Sequence, residues 1–333
     1  MAHNQQGLSR RQFAAGVGGA ALAAALGAPH LALAAQTRRA RLSKSGPGTA
    51  GTLQDGMMAK FPELLKGLDI EWVDGDPGQL QVFILSGALD SGPFGALGLA
   101  EVAQKNVDLV MFGPRLNNHG SWIVKADSPY KHPADLKGKR IATQLPTSDT
   151  YRHARMAAAL HKLDLQKDFQ FIFGSSVANL AMFTRGDVEA VIAIEPTSTR
   201  LIAQGYREIA RVADQWQEAT GDTAPLSLVT CAATRTWVEK NPETSRAVGQ
   251  LALDINRRFV ADPSVVRDPL IYRPMGFKDT DTAIIDLLVE RLPRVYATEW
   301  NKAVFDGFDR QLEVALSLGI IEKKPQKRYI QEL

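Results

Sequence analysis

Thr147, Ser148 and Thr150 fall within the run Thr147-Ser148-Asp149-Thr150-Tyr151-Arg152, directly ahead of a segment with helical spacing. Hydroxyl donors at a helix N-terminus add to free backbone N–H groups and the positive end of the helix dipole, and together these make a ready anion site. Asp149 opposes an anion there, and Arg152 can offset it. The same residue types also serve as plain N-caps, so the run specifies capping alone or capping together with anion binding. Gly174-Ser175-Ser176 repeats the pattern before a second helical segment, with Ser175 as the candidate donor.

Four further stretches present groups that could meet a ligand. Ser45-Gly46-Pro47-Gly48-Thr49-Ala50-Gly51-Thr52 is a turn-forming loop whose glycines let backbone approach a ligand closely, with Thr49 and Thr52 as hydroxyl donors or N-caps. Ser91-Gly92-Pro93-Phe94-Gly95 could offer Phe94 as an aromatic wall, with Gly95 beside it, or could bury Phe94 in the core. Arg115 follows Gly113-Pro114; its guanidinium is permanently charged and suited to bidentate anion contact, unless it is merely solvated. Glu195 ends an apolar strand segment, where it would contact an amine-bearing ligand, pair with an arginine of another lobe, or cap the helix that begins near Thr197.

Other chemistries lack their residues. The six histidines are scattered, and His153 and His161 sit two helical turns, about 12 Å, apart, too far for one metal ion. No metal, iron or nucleotide motif is present: the sequence has no C-x-x-C, no H-E-x-x-H and no G-x-x-x-x-G-K-[ST]. No cofactor is expected. Cys231 is the single cysteine, which excludes an intramolecular disulfide. The net charge is +3 and falls to +1 without Arg10 and Arg11, so no bulk charge favours nucleic acid or anionic lipid.

The elements that must position these groups alternate. Strand-like segments at 41–44, 69–73, 107–112, 122–125, 139–143, 169–173, 188–194, 208–212 and 226–229 are separated by helical ones, and beyond Thr234 helices dominate. Strand–helix alternation implies mostly parallel sheets covered on both faces. The strand at 107–112 is expected to stop at Gly113-Pro114.

The N-terminus reads as an address. Ser9-Arg10-Arg11-Gln12-Phe13 precedes an apolar run with no charge between Phe13 and Ala28, and Ala32-Leu33-Ala34 supplies an A-x-A site. This pattern looks like a twin-arginine export signal over residues 1–35, with a periplasmic product.

An ordered set of motifs then carries a family resemblance. Leu85-Ser86-Gly87-Ala88-Leu89-Asp90, Trp122-Ile123-Val124-Lys125, Ala134-Asp135-Leu136-Lys137-Gly138-Lys139-Arg140-Ile141-Ala142, Gly186-Asp187-Val188-Glu189-Ala190 and Glu195-Pro196 follow in that order. The set resembles the nitrate/sulfonate/taurine and pyrimidine-precursor class of periplasmic solute-binding proteins of ABC importers. The resemblance implies a type 2 periplasmic binding fold: two α/β lobes, each a mostly parallel sheet flanked by helices, with ligand in the cleft between them. Lobe one is expected at 36–143 and 228–333, and lobe two at 144–227. The expected ligand contacts are Thr49, Thr52, Phe94, Gly95, Arg115, Thr147, Ser148, Thr150, Ser175 and Glu195. The expected function is capture of a small organic anion, a sulfonate or carboxylate, by a monomer that engages a permease and ATPase complex and is not an enzyme. The alternatives are a binder of a thiamine-precursor-like pyrimidine, an exported enzyme, or a sensor on the same scaffold.

Overall fold

A computed structural model describes residues 38–333. The arginine pair and the A-x-A site lie outside the described residues. The chain alternates through β1 (Arg38–Ser45), α1 (Gly51–Lys60), β2 (Leu68–Gly75), α2 (Pro77–Ser86), β3 (Gly92–Phe94), α3 (Ala96–Ala103) and β4 (Leu109–Asn117). It continues through β5 (Ser121–Val124), β6 (Arg140–Thr143), α4 (Asp149–Leu160), β7 (Gln170–Phe173), α5 (Ser176–Arg185), β8 (Ala190–Ala193), α6 (Thr197–Ala203), β9 (Arg207–Arg211) and α7 (Val212–Thr220). β10 (Ser227–Thr234) is followed by α8 (Arg235–Lys240), α9 (Pro242–Ala261), α10 (Pro269–Tyr272), α11 (Thr282–Arg291) and α12 (Lys302–Ser317).

Local chemistry accounts for the boundaries. Pro77 opens α2 at a position whose N–H would be unpaired anyway, Asp76 and Gln79 form a capping box, and Gly87 closes the helix at φ 74°. Gly186 ends α5 in the same left-handed conformation, at φ 85°. Gly113-Pro114 does not end β4 as expected. Proline lacks a ladder donor, but β4 is an edge strand, and the register against β10 shifts where Thr230 faces Pro114.

Three sheets result. β1 and β2 pair in parallel; β3, β10 and β4 form a second sheet in that order; β7, β6, β8, β5 and β9 form a third. The parallel pairs are those built by successive strand–helix–strand units: β1 with β2, and β6 with β7 and β8. The antiparallel pairs all involve β5 or β10. These are the first strands after the chain crosses from one region to the other, so each enters its sheet reversed. β5 and β6, expected in lobe one, are strands of the five-stranded sheet. The boundary expected at 143 therefore does not follow the sheets; the chain passes between them at 118–120 and returns at 221–226.

The apolar core follows the same division. Trp122, Ile141, Ala154 and Ile192 pack around the five-stranded sheet. Leu53, Met57, Phe259 and Leu288 pack α1, α9 and α11 together, while Phe94, Leu97, Phe308 and Leu312 pack α3 against α12. Among the described residues, no helix is long and apolar enough to cross a membrane.

Candidate functional site

A cavity of about 40 Å³ lies where the two regions meet. Ser45, Thr49, Gly51 and Arg115 line it from one side; His119, Thr150 and Ile194 line it from the other. The volume is room for a few water-sized groups. The walls touch around it: Thr49 bridges Pro196, and the Thr197 hydroxyl donates to the Gly48 carbonyl at 3.0 Å.

Arg115 comes from β4, just past its irregular step. Nη1 donates to the Ser43 hydroxyl at 2.8 Å, and Nε and Nη2 donate to Gln54 Oε1 at 3.3 and 3.1 Å. These acceptors are neutral, and among the described residues no carboxylate oxygen comes within 4.0 Å of the guanidinium. Three of the five N–H groups are used. Two N–H groups remain without a protein acceptor among the described residues, and no carboxylate is in contact with the guanidinium that borders the cavity.

Across from Arg115, Thr150 lies in the first turn of α4. Its hydroxyl makes no hydrogen bond among the described residues, and the helix N-terminus adds a favourable dipole for an anion. His119 sits between the two walls on the 118–120 crossing. Burial pushes its pKa below the ordinary value, and Nδ1 lies 2.7 Å from the Asn117 carbonyl. A neutral ring with its proton on Nδ1 satisfies both facts.

Of the ten expected contacts, Thr49, Arg115 and Thr150 line the cavity. Phe94 does not: it is fully buried among Leu80, Ile84 and Leu97, so it is a core residue and no ligand wall. Gly95 N–H donates to Asp149 Oδ2 at 2.7 Å, and a Cβ there would sit 2.2 Å from the Leu228 carbonyl. It is a point of close backbone packing. Thr52 donates to the Thr49 carbonyl at 2.6 Å, closing its own turn. Thr147 is exposed and donates to the Gly78 carbonyl at 3.3 Å.

Ser148 is fully buried; its hydroxyl donates to the Leu145 carbonyl and accepts from Tyr151 N–H, a cap in full use. Ser175 likewise caps α5 by accepting from Ala178 N–H. Glu195 is held by Thr199, through both its N–H and its hydroxyl, and by Arg291. Of its three expected roles it fills the last two, arginine pairing and helix capping, and it is fully buried away from the cavity.

Asp149 and Arg152 are also structural. The Asp149 carboxylate accepts from Gln81 Nε2 and from Gly95 and Gly98 N–H at the start of α3. Arg152 reaches Glu101 at 2.7 Å and Gln81 Oε1 at 2.7 Å. This network ties α4 to α2 and α3. Sequence reasoning missed His119 and the α1 pair Gln54 and Asp55. The signal for Asp55 was present, since it is a lone carboxylate among Leu53, Met57 and Met58. Among the described residues, no group of three or more His, Cys, Asp or Glu is placed to hold a metal ion.

Two α/β regions joined by two crossings, with a cavity between them whose largely apolar wall carries a few polar groups, define the architecture of a two-lobed binding protein. The chain superposes on the alkanesulfonate-binding protein SsuA from Xanthomonas axonopodis pv. citri, bound to MOPS, with a TM-score of 0.70 at 17% identity, covering 89% of this chain and 98% of that one. The chain belongs to the family described as NMT1/THI5 like, which it matches over residues 65–254. It is 27% identical to the taurine-binding periplasmic protein of Escherichia coli (strain K12) over 60% of each chain. A shorter stretch is 33% identical to the ATP phosphoribosyltransferase of Nitratidesulfovibrio vulgaris, over 39% of this chain and 42% of that enzyme. The chain thus spans less than two thirds of the curated relatives it matches.

Proposed function

We propose that this protein is a periplasmic receptor that captures a small organic anion, a sulfonate or carboxylate, and presents it to the permease and ATPase of an ABC importer. The observation that carries the reading is Arg115: a guanidinium at the inter-region cavity, oriented by Ser43 and Gln54, with donors to spare and no carboxylate partner among the described residues. Such an arginine is a site for an anion supplied from outside. Thr150 and the N-terminus of α4 approach from the opposite wall, so a bound anion would join the two walls.

The lobes are then best divided by their sheets, as 38–117 with 227–333, and 118–226. Capture proceeds by hinge closure about the two crossings, because contacts to both lobes stabilise the closed state over the open one. The sulfonate-binding and taurine-binding relatives support a sulfonate head group and the periplasm as the workplace. Export through the twin-arginine route rests on residues 9–13 and on the A-x-A site. The reading is that of a receptor, acting as a monomer, without catalysis.

The test is calorimetry with a series of alkanesulfonates and carboxylates on the wild type and on Arg115→Gln. Loss of a charge-assisted contact in the cleft is worth about 3 kcal/mol, so the variant should bind about 100-fold more weakly. Equal affinity in the two proteins would remove Arg115, and the reading with it.

A further inference from the structure

Arg115 serves two cavities. Besides the one between the walls, it lines a second, of about 50 Å³, within the first region, and Asp55 lines that one too. Asp55 lies on α1 one turn after Gly51, on the same face, directly below the cleft loop. Its Oδ2 accepts from Ser45 N–H at 3.1 Å, and Ser45 and Gly51 both border the cleft. Asp55 and Arg115 share a cavity without forming an ion pair: no Asp55 oxygen lies within 4.0 Å of the guanidinium.

We propose that Asp55 sets the charge state accepted at Arg115, admitting a monoanion and disfavouring a dianion of the same head shape. This rests on the reading of Arg115 as the anion anchor. A carboxylate held near the anchor leaves the site close to neutral when ionised. One added negative charge can then be met by protonation of Asp55; a second meets repulsion that no further proton relieves.

The groups around Asp55 make it able to respond. Burial pushes its carboxyl up to about 6, opposed by the Ser45 N–H bond and by the charges of Arg115 on β4 and Lys44 on β1, while Asp74 on β2 pushes it further up. α9 presents Val248, Leu251, Ala252 and Ile255, none of them charged, and β3 presents Ser91. Cys231 on β10 faces the same cavity with its thiol pushed up to about 11 by burial, so it stays neutral. An anion on Arg115 adds a like charge near Asp55 and raises its pKa above the free value. Binding therefore takes up protons, and affinity falls as pH rises through 6.

The experiment is titration calorimetry of the full chain with ethanesulfonate and with sulfate, at pH 5, pH 6.5 and pH 8, each in two buffers of different ionisation heat. The wild type should lose at least tenfold in ethanesulfonate affinity from pH 5 to pH 8, take up a fraction of a proton near pH 6.5, and prefer ethanesulfonate to sulfate at pH 8. In Asp55→Asn the preference should narrow at least tenfold, the pH profile should flatten, and proton uptake should vanish. Ethanesulfonate binding without proton uptake in the wild type overturns the proposal even where the variant fails to fold, as does an unchanged preference in the variant; in both cases the anion-anchor reading stands. Failure of ethanesulfonate to bind the wild type at either pH, with no other sulfonate or carboxylate bound, overturns both.

Discussion

Arg291 and Glu195 meet across the two regions: Nε and Nη2 of the guanidinium each lie 3.2 Å from Oε1 of the carboxylate. Nη2 also reaches Glu208 at 2.7 Å. Glu195 follows β8 in the five-stranded sheet, while Arg291 ends α11, which packs with α1 and α9. The Glu195 side chain is 1% exposed and that of Arg291 16%, so water screens the pair little. Breaking one side of such a pair costs more than the pair contributes, because a buried charge is left behind. Arg291→Met should therefore lower unfolding stability by about 3 kcal/mol in urea titration. Adding Glu195→Gln should restore part of the loss, giving a non-additive cycle. Additive losses would mean that the two side chains do not act as a pair.

Phe94 provides a test of the corrected site. Its ring is enclosed by α2, α3 and the second sheet, and its carbonyl accepts from the Thr230 hydroxyl at 2.8 Å. Phe94→Ala should cost about 3–5 kcal/mol through lost burial and the cavity left behind. Phe94→Leu should cost less and leave anion affinity in the folded protein unchanged, as calorimetry can check. A large affinity loss in the leucine variant at intact stability would return Phe94 to the binding site.

The helix–strand alternation was legible because periodicity records which faces are buried. The crossings were not. Nothing in Trp122-Ile123-Val124 tells a strand that closes one sheet from a strand that opens the next. Arg115 and Thr150 were legible as donors since their chemistry is local. Glu195 could be assigned only a set of roles, because Arg291 lies far along the chain and their meeting depends on how α11 packs. Ser148 and Ser175 show why hydroxyls at helix starts misled: both cap their helices, Ser148 has also given its proton to the Leu145 carbonyl, and neither borders the cavity.

A contact with no sequence signal joins Gly249 of α9 to β4. A Cβ on Gly249 would sit 2.0 Å from the Phe112 carbonyl, and one on Gly113 would sit 2.4 Å from Gly249 Cα. Backbone meets backbone there, so no side chain can swing away. Gly249→Ala should force α9 outward and cost about 3 kcal/mol, more than ordinary overpacking by one methyl, despite the better helix propensity of alanine. Thermal and urea unfolding decide it; a neutral or stabilised variant would show that the two elements can separate at no cost.

Asp55 makes the stability of the fold depend on pH in a direction opposite to most carboxylates. Its pKa is pushed up to about 6, mainly by burial, from an ordinary value of 3.8. Between those values the folded state binds the proton that the unfolded state has released, so stability falls as pH rises from 3.8 to 6 and levels off above 6. Two pKa units correspond to about 3 kcal/mol, and partial exposure of the carboxyl reduces this to about 2. Asp55→Asn keeps an acceptor for Ser45 N–H and removes the charge. The variant should be about 2 kcal/mol more stable than wild type at pH 7.5, with the difference shrinking to near zero at pH 4. Urea titrations at the two pH values measure it directly. A variant less stable than wild type at pH 7.5 would mean that Asp55 is held ionised by Arg115 and Lys44 more strongly than burial opposes it.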